Sequence, residues 1–329
     1  MKKTLLCAAL LGLLAAAAPF AALLFPGPAA PDAPVPTPEP ETPAATEAPL
    51  PQALPDLEAD PDAPLTLYDE AAGQTLTVPV EDFLIGAAAC ELPPDWPDAA
   101  ILAQMVASHS YALALGEDPM TVNTALCAGW TDKEVLQARW GVDYDTYHDR
   151  LTDLAEQVAG ALLCYENAPA AACYHSISAG RTEASQNVWL TALPYLQGVD
   201  SPWDKEAENY QVSVAYSAEQ LAPLLQGLGL VPGDDPANWF GTPVSDEAGY
   251  VASLPVCGQT LGGTTLRGAL GLRSASFAVD YADGAFTFTT YGYGHGVGLS
   301  QYGAKAMAEG GASWREILTY YFPGCEILP

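Results

Sequence analysis

The chain has 329 residues and is strongly acidic, because 40 Asp and Glu residues against 11 Lys and Arg give a formal net charge of −29. A surface of this charge repels a phosphate backbone, so nucleic acid is an unfavourable partner, whereas a neutral or weakly charged polymer such as a glycan tolerates it. The length suffices for one large domain or two packed lobes after the terminal segments are set aside.

The N-terminus has the pattern of an export segment. Lys2 and Lys3 precede residues 4–25, which carry no charge. At ~1.5 Å per helical residue this run reaches across a ~30 Å hydrocarbon core, and it predicts a single-pass anchor in the cell membrane over residues 1–25. The lysines on the N-terminal side make the remainder of the chain extracytoplasmic. Small residues at positions 15–17 would also suit a signal peptidase, so a cleaved signal peptide is the alternative.

Residues 26–64 are predicted to form a disordered, acidic and proline-rich linker. The segment holds 13 prolines and eight acidic residues, and it contains no Lys or Arg. Such a composition cannot bury a core, and its self-repelling charges keep it extended. The globular part is therefore expected over residues 65–329.

The globular part contains six cysteines whose spacing does not match a disulfide framework. An exported chain permits disulfides, but a domain of this size can be stable without them. Disulfides and buried free thiols therefore stay open as equal alternatives. The six residues are Cys90, Cys127, Cys164, Cys173, Cys257 and Cys325.

Patterns of apolar and polar residues predict an α+β fold, in which helices and short antiparallel strands form one large lobe or two closely packed lobes. The predicted strands are 65–68, 74–80, 171–176, 211–216, 250–256, 276–281 and 285–291. The predicted helices are 80–91, 98–113, 132–139, 144–163, 217–228, 300–308 and 313–321. Asp98, Ser300 and Ser313 are expected to cap the N-termini of their helices.

Glu91 stands out on the first predicted helix. It continues an apolar stripe formed by Leu84, Ala87 and Ala88 at helical spacing, and it lies close to the C-terminal end of the helix. Partial burial and the negative pole of the helix both disfavour a charged carboxylate, so we expect a raised pKa that suits a general acid. A surface glutamate that simply falls at the helix end is the alternative.

Two polar segments are further candidates for a binding site. Residues 175–183 are rich in hydroxyl and imidazole groups, which could bind sugar hydroxyls, although the same groups could equally satisfy their own backbone. In residues 291–304, alternating glycines bracket His295. Glycine weakens a strand, so this alternation predicts a place where another backbone or a ligand approaches closely.

The segment 291–304 resembles the GxGHGVGxSQxGA signature of the stage II sporulation protein D family. Further segments resemble this family, and the resemblance extends over about residues 65–325. They are 83–93 with 103–113 (FLIGAAACELP and AQMVASHSYAL), 175–183 with 188–204 (HSISAGRTE, VW, LPYL and VDSPWD), and 266–277 around LGLRS.

The resemblance implies the roles of several residues. The catalytic glutamate of the family falls on Glu91. Three positions depart from the family pattern, namely Cys90 in place of alanine, His109 in place of arginine and Ala179 in place of glycine. His109 is otherwise expected to be a core histidine with satisfied nitrogens. The implied substrate-binding residues are His175, Ser176, Ser178, Gly180, Thr182, Glu183, His295, Gly296, Ser300 and Gln301.

The resemblance also implies an activity, a lytic transglycosylase that cleaves peptidoglycan glycan strands, and a cell-wall amidase as partner. Glu91 would act first as acid and then as base, so one carboxylate is enough. A plain glycoside hydrolase would need a second carboxylate, for which Glu183 is a candidate in space. The alternative from another class is a non-catalytic glycan-binding module that stimulates an amidase.

Other chemistries find less support. Cys90 lacks the positive surroundings that activate a thiol, and Ser300 does not lie in a nucleophile elbow. Some family members carry a zinc site built from one histidine and two cysteines, but only Cys127 is present here, and one ligand cannot hold zinc. We therefore expect neither a metal nor another cofactor.

Overall fold

The structure is a computed structural model, and it describes residues 61–328. The predicted anchor 1–25 and all but the last four residues of the predicted linker lie outside the described residues. Among the residues that are described, we find no helix that is both long and apolar enough to span a membrane.

The described residues form both helices and short, mostly antiparallel strands, which confirms the α+β class. The helices are α1 (Val80–Glu91), α2 (Asp98–Leu115), α3 (Lys133–Trp140), α4 (Tyr144–Ala155), α5 (Ser185–Trp189), α6 (Ala218–Gly227), α7 (Gly263–Leu270), α8 (Gln301–Glu309) and α9 (Trp314–Tyr321). The strands are β1 (Leu65–Asp69), β2 (Gln74–Val78), β3 (Met120–Val122), β4 (Leu162–Tyr165), β5 (Ala168–Pro169), β6 (Tyr174–His175), β7 (Gln211–Ser217), β8 (Val244–Ser245), β9 (Val251–Val256), β10 (Gln259–Leu261), β11 (Phe277–Ala282), β12 (Ala285–Tyr291), β13 (Leu299–Ser300) and β14 (Glu326–Leu328).

The strands form several small sheets, and most of their pairs are antiparallel. The sheet orders are β2-β1-β3, β10-β9-β8, β11-β12-β7, β13-β6 and β14-β4-β5. The pairs β1–β3 and β13–β6 are parallel. In the largest ladder, β12 lies between β7 and β11, and its alternating pattern buries Phe286 and Phe288 on one face. Small sheets of this kind need helices or other sheets against them to be stable.

The buried apolar side chains form two clusters. The first cluster surrounds α2, in which every side chain from Ala100 to Ser110 is buried, and α1, α8 and α9 pack against this helix. The second cluster lies between the β11-β12-β7 sheet, β9, α6 and α7. Both clusters belong to one compact unit of the chain.

The predicted helix over residues 144–163 is wrong in its second half. Helix α4 ends at Ala155, and three-residue turns follow, with the amide of Val158 donating to Ala155 O at 3.0 Å and that of Ala161 donating to Val158 O at 2.9 Å. Residues 162–165 then form β4, and the Leu163 amide donates to Ser110 Oγ at 2.8 Å. The apolar residues whose spacing predicted one helix are therefore buried in two elements, Leu151 and Leu154 in α4 and Leu162 in β4.

The predicted strand over residues 171–176 is shorter than expected. The amides of Ala172 and Cys173 donate to the carbonyl groups two residues earlier, at 2.7 and 2.8 Å. Because of these tight turns, only the two residues of β6 pair with another strand.

Helices α5 and α7 were not predicted at all. Of the expected helix caps, Ser300 and Ser313 are confirmed, whereas Asp98 lies inside α2, whose N-cap is Pro97.

His109 is fully buried in α2, and neither of its ring nitrogens has a hydrogen-bond partner. The expected core position is confirmed, but the expected satisfied nitrogens are not. Phe83 lies beside the ring, with centroids 6.3 Å apart. Burial lowers the pKa of His109 to about 4, so the imidazole is neutral at physiological pH.

We expect His109→Leu to stabilise the protein, because the change removes unsatisfied buried nitrogens at similar side-chain volume. The gain in the free energy of unfolding should be about 1–2 kcal/mol at pH 7.5. It should be about 1–2 kcal/mol larger near pH 5, because unfolded histidine takes up a proton below pH ~6.5 and folded His109 does not. Urea unfolding at both pH values measures this. His148→Leu, at a partly exposed histidine that contacts Thr152, should show no such gain.

Candidate functional site

The glycine-rich run packs against the segment 173–178. Its backbone φ values are 80, 108, 86 and 75 at Gly292, Gly294, Gly296 and Gly298, all in the region that favours glycine. A Cβ atom at Gly292 would lie 2.6 Å from the Ile177 carbonyl oxygen, and one at Gly298 would overlap with the carbonyl oxygen of Cys173. The close approach of another backbone, expected from the sequence, is therefore confirmed.

We expect Gly298→Ala to destabilise the protein by about 3 kcal/mol or more, because it adds both backbone strain and a clash with the segment 173–178. Gly284→Ala is the matched control, since Gly284 has a φ of 83 but open space at its Cβ position. That control should lose about 1–2 kcal/mol in the free energy of unfolding, which is the cost of backbone strain without a clash. Equal losses for the two variants in denaturant unfolding would contradict the packing argument.

This packing brings two buried histidines together. The rings of His175 and His295 lie 5.6 Å apart, and the Trp189 ring lies 4.9 Å from His295. The Nδ1–H of His175 donates to Val297 O at 3.0 Å, whereas Nδ1 of His295 accepts from the Val297 amide at 3.0 Å. Burial lowers the pKa of each histidine to about 3. Both are therefore neutral, and Nε2 of His175 is buried without a partner.

Glu91 ends α1 and is only partly exposed. Its Oε2 atom accepts a hydrogen bond from Nε2 of Gln301 at 3.1 Å, and the same amide lies 3.3 Å from Oε1 of Gln104. Gln104 in turn donates to Ser108 Oγ at 3.0 Å. The two glutamines form a chain that fixes the carboxylate against α2 and the start of α8.

Burial raises the pKa of Glu91, as the sequence predicted. The hydrogen bond from Gln301 offsets part of this rise, while the nearby Cys127 sulfur adds to it. The carboxyl group is thus biased towards its protonated form but remains accessible from one side. A general acid needs this combination, because it must hold a proton and also reach the atom that receives it.

A groove of about 610 Å³ opens beside Glu91. Aromatic and imidazole rings line it, and the segment 115–129 contributes many of the other lining residues. Flat rings with polar edges are suited to sugar faces and hydroxyl groups. The lining residues are Glu70, Glu91, Tyr111, Leu115, Glu117, Met120, Thr121, Val122, Asn123, Leu126, Ala128, Gly129, Cys173, Tyr174, Trp189 and His295.

The structure separates the predicted site residues into two groups. Glu91 and His295 line the groove, Gln301 donates a hydrogen bond to Glu91, and the His175 ring lies 5.6 Å from that of His295. The rings of Tyr111, Tyr174 and Trp189 were not predicted as site residues. Tyr111 and Trp189 lie in segments that carry the family resemblance, and these positions were the available signal.

Several hydroxyl groups of the second group are engaged inside the protein. Ser178 and Ser300 are fully buried and both donate to the carboxylate of Asp204, the latter at 2.8 Å. The Thr182 hydroxyl accepts from the Val199 amide at 2.8 Å. These contacts favour the structural interpretation of the segment 175–183, and a direct substrate contact by these side chains stays a prediction.

The remaining members of this group also have internal roles. The Ser176 carbonyl accepts from the Tyr302 amide at 3.1 Å, and the Gly180 amide donates to Ser178 Oγ at 3.1 Å. Gly296 faces the Tyr250 hydroxyl so closely that a side chain would not fit.

Glu183 is buried outside the lining of the groove. Its Oε1 atom accepts from the Ala184 amide at 2.6 Å and from Asn187 Nδ2 at 2.9 Å. Burial, together with a hydrogen bond to Asp246, raises the pKa of Glu183. These contacts hold Glu183 between the start of α5 and the Asp246 loop. They give no support to its use as a second catalytic carboxylate.

The six cysteines of the globular part are free thiols in the structure. Within residues 61–328 we find no group of three or more His, Cys, Asp or Glu side chains that could hold a metal ion.

Sequence comparison relates the chain to known proteins. Residues 68–165 match the family described as "Stage II sporulation protein". The chain is 33% identical over 273 residues to stage II sporulation protein D of Bacillus subtilis (strain 168). The aligned region covers 80% of this chain and 78% of that protein. It is 34% identical over 261 residues to stage II sporulation protein D of Bacillus amyloliquefaciens. That aligned region covers 76% of this chain and 74% of the relative.

A more distant relative has a different name. The chain is 25% identical over 294 residues to the amidase enhancer of Bacillus subtilis (strain 168), and the match covers 71% of this chain but only 38% of that protein. The first two matches exceed 30% identity over most of both chains and agree with the matched family. The chain belongs to the stage II sporulation protein D family.

Proposed function

We propose that this protein is a peptidoglycan lytic transglycosylase of sporulation or cell-wall remodelling, held at the cell membrane by its N-terminal segment. The observation that carries the proposal is the partly buried carboxyl group of Glu91, with its raised pKa, at the groove that Trp189 and His295 also line. The bond cleaved is the one between N-acetylmuramic acid and N-acetylglucosamine.

In this mechanism, protonated Glu91 gives its proton to the glycosidic oxygen as the bond to the muramic acid C1 breaks. The carboxylate that results then takes the proton of the muramic C6 hydroxyl, whose oxygen bonds to C1 and closes the 1,6-anhydro ring. Glu91 regains its proton, so one carboxyl group serves both steps. The Gln301 amide orients Glu91 and stabilises its charged form between the two proton transfers.

The charge around the groove bears on which strands are bound. Glu70 and Glu117, both exposed, line it with Glu91, and no Lys or Arg is among the described lining residues. Each stem peptide carries more carboxylates than the single lactyl carboxylate that its removal leaves on the muramic acid, and this surface repels the additional negative charge. We therefore propose that glycan strands stripped of their peptides are the preferred substrate, and that a cell-wall amidase supplies them.

A second candidate function is a glycan-binding module that stimulates a cell-wall amidase without cleaving the glycan. The similarity to the amidase enhancer favours it. The departures His109 and Ala179 lie outside the groove lining, so they do not distinguish the two functions.

The products distinguish these functions. The full chain, in a mild detergent, is incubated with glycan strands that an amidase has stripped, and the new ends are identified by mass spectrometry. Ends with 1,6-anhydromuramic acid support the transglycosylase, and reducing sugar ends indicate a hydrolase. Binding without new ends, together with faster amidase turnover on intact peptidoglycan, would replace the proposal with the binding module.

A further inference from the structure

A second concave surface begins beside Glu91. It encloses about 800 Å³ and is formed by the loop 93–98, by Arg150 of α4 and by Lys305 and Glu309 of α8. We call it the loop surface, and it shares no lining residue with the groove. Glu91 lines the groove and Pro93 lines the loop surface, so the end of α1 borders both concavities.

Helix α8 also reaches both concavities. Gln301 at its start donates to Glu91, and Lys305 lies four residues later. Residues four apart lie on one face of a helix, with Cβ atoms about 5–6 Å from each other. Tyr302 packs edge-on against Trp96 of the loop, with ring centroids 5.1 Å apart. Lys305 is therefore placed about one helical turn from the residue that holds the candidate acid.

Arg150 fixes the shape of the loop surface. Its guanidinium group donates to the carbonyl oxygens of Pro94 and Trp96, the latter at 2.6 Å, and it pairs with Asp98. Three acceptors from the loop and the start of α2 thus engage this cation. A surface that is held in this way needs little rearrangement when a ligand binds, which lowers the entropic cost of binding.

Lys305 is the other cation of the loop surface, and its partner binds it weakly. The Nζ atom lies 3.7 Å from Glu309, beyond normal hydrogen-bond distance, and 5.3 Å from the centroid of the Trp96 ring. Lysine lies on the N-terminal side of this pair, which is the less favourable orientation on a helix. The Lys305 side chain is 34% exposed, so an incoming anion can replace Glu309 at small cost.

The remaining charges of the loop surface leave Lys305 available to an anion. Asp98 is paired with Arg150, and Asp95 is exposed, where solvent and salt screen its charge. The described lining of the groove contains acidic residues but neither Lys nor Arg. A negatively charged group on a strand that passes Glu91 is therefore attracted to Lys305 on the loop surface and repelled by the groove.

We propose that the glycan strand extends from the groove past Glu91 onto the loop surface, where Lys305 binds the lactyl carboxylate of a muramic acid next to the cleaved bond. This inference rests on the proposed function, because it assigns a specificity-determining residue to the same site.

The contact distinguishes stripped strands from intact ones. In intact peptidoglycan the lactyl carboxyl group forms an amide bond with the stem peptide and carries no charge. An amidase hydrolyses this bond and leaves a free carboxylate, which pairs with the Lys305 ammonium group. The acidic groove thus disfavours the stem peptide, and Lys305 favours the group that removal of the peptide exposes.

The test measures strand binding by the full chain in a mild detergent. All proteins carry Glu91→Gln, so that bound strands stay intact. Lys305→Gln removes the charge, and Lys305→Arg keeps it. Lys133→Gln is the matched control, because Lys133 is an exposed lysine of α3 that lines neither concavity. Each protein is titrated with stripped strands and with the same strands after conversion of their lactyl carboxylates to neutral methylamides.

Lys305→Gln should weaken the binding of stripped strands about fivefold or more, whereas Lys305→Arg and Lys133→Gln should stay within about twofold of the parent. Methylamide strands should bind to the parent and to Lys305→Gln with equal affinity, because they have no carboxylate for Lys305 to recognise. A thermal melt of each variant, expected to match that of the parent, shows that the fold is retained.

An unchanged affinity of Lys305→Gln for stripped strands, or an equal loss for both kinds of strand, overturns the proposal. The Lys305 and Lys133 variants with Glu91 intact are also assayed for cleavage, which tests the proposed function separately. If strands bind with the expected discrimination but none is cleaved, the transglycosylase activity fails and the Lys305 site stands. If no strand binds, both proposals fail.

Discussion

Glu91→Gln is expected to lower the rate of glycan cleavage by at least about a thousandfold, because the amide can neither donate the proton to the glycosidic oxygen nor accept one from the C6 hydroxyl. The substitution preserves side-chain shape, and a neutral amide suits the partly buried site at the end of α1. Thermal stability and strand binding should therefore stay close to those of the unmodified protein. Mass spectrometry of 1,6-anhydro ends, with a thermal melt on the same sample, measures both.

Glu70→Gln is the matched control for this experiment, since Glu70 lines the same groove but is exposed. Its rate should stay within about threefold of the unmodified protein, because a solvated carboxylate has a screened influence on the bound strand. Retention of more than about a tenth of the activity in Glu91→Gln would remove Glu91 from the mechanism. A comparable loss in both variants would indicate that groove charge, and not proton transfer, limits the rate.

The sequence predicted those features of the site that depend on local pattern. The position of Glu91 on the apolar stripe of α1 indicated partial burial and a raised pKa, with a surface glutamate as the alternative, and the structure confirms the first interpretation. The alternating glycines of the 292–298 run were sufficient to expect close backbone contact. Both inferences use residues that are neighbours along the chain.

Features of the site that depend on contacts between residues far apart in the chain could not be predicted from local sequence patterns. Gln301 is 210 residues from Glu91 in the chain, and only the fold shows that its amide holds the carboxylate. Ser178 and Ser300 are residue types that often bind sugars, but the fold directs both towards Asp204. Asp204 ends the VDSPWD segment that resembles the family, yet the sequence alone assigned it no role. The second half of the predicted 144–163 helix failed for the same reason, because pairing with β14 decides the structure of residues 162–165.

The buried carboxylate of Asp204 connects three parts of the site through the hydrogen bonds that it accepts. It accepts from the Ser178 amide at 2.9 Å and from the hydroxyls of Ser178 and Ser300, and Ser201 adds a further hydrogen bond. Ser300 is the N-cap of α8, and Gln301 follows it directly. Through these bonds Asp204 fixes the glycine-rich run, the segment 175–183 and the residue that holds Glu91.

Asp204→Ala is expected to cost about 3–5 kcal/mol in the free energy of unfolding, because several buried donors lose their acceptor at once. Cleavage should fall as well, since Gln301 is no longer held beside Glu91. Asp204→Asn keeps one acceptor oxygen, so its stability and cleavage rate should lie between those of the unmodified protein and those of Asp204→Ala. Asp200→Ala is the matched control, because Asp200 is exposed and pairs with Arg181 at 2.6 Å, and it should cost less than about 1 kcal/mol.

Denaturant unfolding of the four proteins, with cleavage rates measured under conditions where each is folded, separates the two effects. If Asp204→Ala loses stability but retains full activity, Ser300 and Gln301 hold their positions without Asp204, and the position of Glu91 depends on Gln104 and α2 alone. If Asp204→Ala and Asp200→Ala lose similar amounts, the buried hydrogen bonds contribute no more than a surface ion pair. The expected result is a loss in both stability and rate for Asp204→Ala, because the hydrogen bonds that position α8 are the same ones that stabilise the fold around it.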